Sequence, residues 1–164
     1  MRMRLVGLVA VCGLALCVAG TAFAGGNPED SGEAVHVDEN GYAAHGADVV
    51  AYFSLEPGES AVMGAEEFAY EWRGATWLFA NEENLDAFRE DPERYAPEYG
   101  GYCAYAIARD KLAPIDPDRW DVVDGSLYLN YSGSTQRDWR EHQSRDISRG
   151  DELWPEWSAK LQGE

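Results

Sequence analysis

Apolar and polar positions fall into a regular pattern from Val35 onward. In "AVHVDENGYAAHG", Val35 and Val37 alternate with His36, and Asn40-Gly41 signals a tight turn before Tyr42 resumes the apolar side. That pattern predicts a β-hairpin with His36 turned to solvent. "ADVVAYF" follows as a short helical turn capped by Asp48, and "SLEPGESAVMGAEE" reads as a loop centred on Pro57-Gly58. Alternating aromatic positions about Arg73-Gly74 predict strands Phe68–Trp72 and Thr76–Ala80. "NEENLDAFREDPERY" opens with Asn81 as N-cap and acids in the first turn, sets Leu85 and Phe88 on one face and stops at Asp91-Pro92, which predicts a helix. "APEYGGYCAYAIARD" bends through proline and glycine into a short helix carrying Cys103. "WDVVDGSLYLNY" predicts a further hairpin, Trp120–Val123 and Leu127–Tyr131, about Asp124-Gly125. The tail from Ser134 is helix-prone, with interruptions expected at Gly150 and Pro155 and with His142 on a solvated face.

Hairpins join antiparallel strands, so the fold class expected is α+β: a small antiparallel sheet of hairpins packed against several short helices in a single domain. Trp72, Trp77, Phe79, Trp139, Trp154 and Trp157 fall at spacings suited to its core.

The beginning of the chain has a different pattern. "MRMRLVGLVAVCGLALCVAGTAFAGG" runs from Arg2 and Arg4 through an apolar stretch to Ala22-Phe23-Ala24, the three-part layout of a cleavable secretory signal. The expected organisation is a signal peptide at 1–24, a flexible leader at 25–34 and a folded domain at 35–164, with a periplasmic or secreted location. Leu16 and Val11 precede Cys17 and Cys12 where lipoprotein processing needs a small residue, which argues against a lipid anchor. Processing leaves 140 of the 164 residues, and loss of Arg2 and Arg4 takes the formal charge from −17 to −19. An acidic chain of this kind repels nucleic acid and anionic membranes, and no membrane span is expected after processing. The partners left are a metal ion or another periplasmic protein.

Few chemical signatures are present. The chain has no phosphate-binding glycine loop, no C-x-x-C, no H-E-x-x-H and no G-x-S-x-G. Cys103 is the one cysteine outside the signal segment, and three readings of it stand. As a soft-metal ligand, for copper above all, it would be joined by His45, which precedes Gly46 in a bend, and by Asp48. As a buried thiol it would pack the core of a non-catalytic structural or interaction module. As a redox sensor it would need exposure and a lowered pKa.

The run "TWLFANEENLDAFREDPERYAPEYGGYCAYA" with "WDVVDGSLYLNY", and the opening "HGADVVAYF", resemble the exported branch of the YHS domain family over roughly residues 41–157. The resemblance implies a compact α+β domain akin to small metal-binding modules, often linked with copper or other heavy-metal handling. In metal-binding YHS relatives three cysteines occupy positions that correspond here to Ala51, Ala80 and Asn84, so the resemblance implies that the cysteine-rich site is gone. The branch's opening motif keeps Gly46, Asp48 and Tyr52, and its Gly-Gly-Tyr-Cys-Ala-Tyr-Ala motif is matched in full by Gly100, Gly101, Tyr102, Cys103, Ala104, Tyr105 and Ala106.

Overall fold

Residues 33–163 are described in the computed structural model, so the expected 1–24 signal and all but the last two residues of the 25–34 leader lie outside the described residues. The first hairpin pairs β1 (Ala65–Trp72) with β2 (Ala75–Phe79), Tyr70 facing Trp77 and Trp72 facing Ala75. Its turn holds Arg73 and Gly74 at φ 49° and 70°, the paired left-handed residues whose twist suits two antiparallel strands. The second pairs β3 (Asp116–Val123) with β4 (Ser126–Asn130), Trp120 facing Leu129, through Asp124 and Gly125 in the same left-handed region.

Both hairpins lie where the alternation places them, in an α+β arrangement, but they form two separate two-stranded sheets instead of one. The hairpin expected near residue 36 shrinks to a single bridge between Val37 and Ala43. There Asp38 Oδ1 accepts the Asn40 and Tyr42 amides, and this local side-chain cap replaces a longer ladder. The chain then runs along β2, with Ala43 N–H donating to the Thr76 carbonyl at 2.9 Å and Thr76 N–H donating to that of Gly41 at 3.2 Å.

Helices cover the rest. α1 (Glu82–Glu90) begins at Asn81, whose side chain accepts the Asn84 amide, and α2 (Pro92–Tyr95) starts on the proline that ends α1. α3 (Ala104–Ile107) follows Cys103; α4 (Gly133–Glu141) and α5 (Gln143–Gln162) close the domain. Among the described residues no helix is long and apolar enough to cross a membrane.

Two aromatic clusters make the core. Phe88, fully buried, lies 5.0 Å from both Trp77 and Phe79 and 5.6 Å from Trp72 between ring centroids, so α1 is docked on the first hairpin. Trp139 lies 5.2 Å from Tyr128, which in turn contacts Tyr99 under Trp154.

The expected interruptions at Gly150 and Pro155 do not occur; the helical tail breaks instead at His142, and α5 is continuous through both residues. A long-range contact accounts for the glycine. A Cβ on Gly150 would lie 2.5 Å from the Tyr99 hydroxyl, which is held by donation to the Ile147 carbonyl at 3.1 Å and to Asp151 Oδ1 at 2.9 Å. Trp154, 4% exposed, anchors the helix immediately before Pro155. In a free helix Gly→Ala gains about 1 kcal/mol. Here Gly150→Ala is expected to lose about 1–3 kcal/mol through overpacking against Tyr99, measured by urea unfolding; a gain in stability would refute the contact.

Candidate functional site

The three residues expected to share a ligand fall in different settings. Cys103 is the N-cap residue of α3 and is 1% exposed. Its Sγ accepts the Tyr131 amide at 3.3 Å and faces Asn130 Oδ1 at 3.7 Å, toward which the S–H points as donor. Asn130 Oδ1 also accepts the Tyr105 amide, so the thiol ties the start of α3 to the end of β4. Burial pushes the Cys103 pKa up, and the amides around the sulfur offset that only in part.

Asp48 is fully buried, and its carboxylate accepts four hydrogen bonds. Oδ1 takes the Val50 and Ala51 amides at 2.9 and 3.1 Å; Oδ2 takes the Ala80 amide at 2.8 Å and Asn84 Nδ2 at 2.7 Å. It caps the short turn Ala51–Ser54 as expected, and it also reaches the end of β2 and the first turn of α1. Ala51, Ala80 and Asn84 are the three positions at which the resemblance places cysteines in metal-binding relatives, so the fold does bring those positions together. What they present here is N–H groups, all aimed at one carboxylate. A donor set of this sign does not suit a cation.

His45 sits in a turn where Ala44, His45 and Gly46 hold φ of 49°, 54° and 79°. Its neighbour is His36, with ring centroids 5.4 Å apart. His36 is half-buried and not turned to solvent as its alternation with valines predicts; Val37 is the exposed residue, at 39%. The bridge between Val37 and Ala43 sets residue 36 across from residue 44, which brings the two imidazoles together. The signal for His36 was therefore the register of that turn, which alternation alone does not supply. His142 is exposed, as expected.

The remaining motif residues support this arrangement. Tyr52 donates its hydroxyl to the Pro117 carbonyl at 2.9 Å, and Tyr105 stacks under the Arg109 guanidinium at 3.4 Å. Gly100 carries no Cβ because one would lie 1.9 Å from the Ala34 carbonyl oxygen, and the neighbouring Gly101 sits at φ 81°. Tyr102 meets the His36 ring edge-on at 4.7 Å. An open groove of about 430 Å³ lies along the first hairpin, lined by Tyr42, Ala69, Tyr70 and Leu78 with Glu66 and Arg89 among its polar groups.

Among the described residues no three His, Cys, Asp or Glu side chains are grouped to hold a metal ion. Asp48→Asn replaces one acceptor oxygen by an NH2 group facing buried donors. The expected loss is about 3 kcal/mol or more by urea unfolding; an unchanged midpoint would show that the four bonds carry no weight.

Comparison with curated proteins and with solved structures finds no match. The model of the YHS domain matches residues 59–99, from the loop before β1 to Tyr99. That segment contains Ala80 and Asn84 but none of Cys103, His45 and Asp48. Over those residues the chain is similar to the YHS domain.

Proposed function

We propose that the chain is an exported, non-catalytic accessory or interaction module, in which the cysteine site of metal-binding YHS relatives has become an internal hydrogen-bond node and Cys103 packs the core. The observation that carries this reading is the convergence of Ala51 N–H, Ala80 N–H and Asn84 Nδ2 on the Asp48 carboxylate. A cation entering there would meet four N–H donors and would have to break every bond they make. Export is supported by the basic, apolar and small-residue run that ends at Ala24.

The copper reading built on Cys103, His45 and Asp48 is less favoured, because the thiol and the carboxylate are engaged by separate sets of protein groups. A redox role is also disfavoured. Only the thiolate attacks, and burial of Cys103 raises the pH needed to form it.

The test is Cys103→Ala in parallel with the parent. Anaerobic copper(I) titration against a competing chelator is expected to give the same stoichiometry for both, while urea unfolding shows a loss of about 1 kcal/mol or more. Loss of one bound equivalent in the variant would overturn the reading. The raised thiol pKa adds a pH signature. The folded protein keeps its proton above the unfolded thiol value of about 8.5, so the contribution of Cys103 is complete below that pH and declines as pH rises further. The stability gap between parent and Cys103→Ala is expected to narrow above that pH; a gap that widens would contradict the burial account.

A further inference from the structure

We propose that His36 and His45 form a half-buried two-imidazole site for a copper(II) ion that uses neither Cys103 nor Asp48. The rings lie 5.4 Å apart between centroids with planes tilted by 32°. Imidazole nitrogens bind such ions at about 2 Å, so one ion spans two nitrogens about 4 Å apart at most, a separation that these centroids permit. Among the described residues, His36 Nδ1 is buried with no hydrogen-bond partner, and a ligand would satisfy a polar atom that the fold leaves unpaired.

The surroundings hold both rings in place. His36 N–H donates to the Gly100 carbonyl at 2.8 Å, and its ring rests edge-on against Tyr102 at 4.7 Å. His45 is fixed in a left-handed conformation that costs a non-glycine residue about 1–2 kcal/mol. Bonds from Gly46 N–H to Ala43 and from Gly64 N–H to Gly46 clamp that turn. Burial, then the neighbouring His45, push the His36 pKa down, while the nearby Asp38 acts in the opposite direction.

The donor set selects the ion. Two imidazoles with solvent in the remaining positions suit copper(II), which stands highest among divalent first-row ions for nitrogen ligands, whereas a closed zinc site needs four protein ligands. A chain with formal charge −17 also raises the local concentration of cations. The site needs nothing from the thiol, so it stands or falls independently of the role given to Cys103.

The test is titration of the full chain with aqueous copper(II) alone, followed by electron paramagnetic resonance and by competition with a chelator. The parent is expected to bind one equivalent with nitrogen hyperfine structure. His36→Ala and His45→Asn should each weaken binding about tenfold or more. Asparagine tolerates the left-handed backbone at position 45, so that variant separates lost ligation from lost folding. His142→Ala, at an exposed solitary imidazole, is expected to match the parent. No equivalent bound by the parent, or one retained with unchanged spectrum in a folded His36→Ala, His45→Asn double variant, would overturn the site. Either result would leave the Cys103→Ala comparison, and the reading it tests, untouched.

Discussion

The buried carboxylate of Asp48 is the constraint around which this domain is arranged. An ionised carboxylate without water is expensive, and four N–H donors offset the cost only when three pieces of chain arrive together: the turn at Val50 and Ala51, the end of β2 at Ala80, and the first turn of α1 at Asn84. Once they do, α1 is held against the hairpin with Leu85 and Phe88 pointing inward, and the cluster of Trp72, Trp77, Phe79 and Phe88 closes beneath it. Polar satisfaction and apolar burial therefore depend on each other here. The same convergence aims two backbone amides and one side-chain amide, from Ala51, Ala80 and Asn84, at the Asp48 carboxylate.

Cys103 performs a similar task at the junction of β4 and α3. Its sulfur takes the Tyr131 amide at the end of β4 while Asn130 bridges to the start of α3, so a weakly polar atom serves a junction where a charged one would be costly. The half-buried imidazoles of His36 and His45 form a separate pair. His36 runs between two left-handed turns, Ala44–Gly46 on one side and Tyr99–Gly101 on the other, and both are strained in a way that surrounding packing has to sustain.

Local rules read much of this from the sequence, and long-range contacts supply the rest. Asn81 as a cap, Arg73-Gly74 and Asp124-Gly125 as turns, and Leu85 with Phe88 as a buried face follow from signals a few residues wide. Gly150 and Pro155 misled for a definite reason. Their intrinsic preference is to end a helix, and the contact that keeps Gly150 inside α5, with the Tyr99 ring, lies about fifty residues away in sequence. The role of Asp48 was half legible: the cap on the following turn is local, whereas the bonds to Ala80 and Asn84 are not. Burial of Cys103 is among the readings its residue type offers, whereas the meeting of His36 with His45 depends on how one turn registers against another.

On this reading Asp48 and Cys103 serve the fold, and the His36–His45 pair holds the proposed ion. Nuclear magnetic resonance of the amides during substoichiometric addition of paramagnetic copper(II) tests that division most directly. Broadening confined to His36, His45 and neighbours such as Tyr102, with the Ala80 and Tyr131 amides unaffected, is the predicted result. Broadening centred on Tyr131 and Cys103, or on Ala51, Ala80 and Asn84, would contradict it.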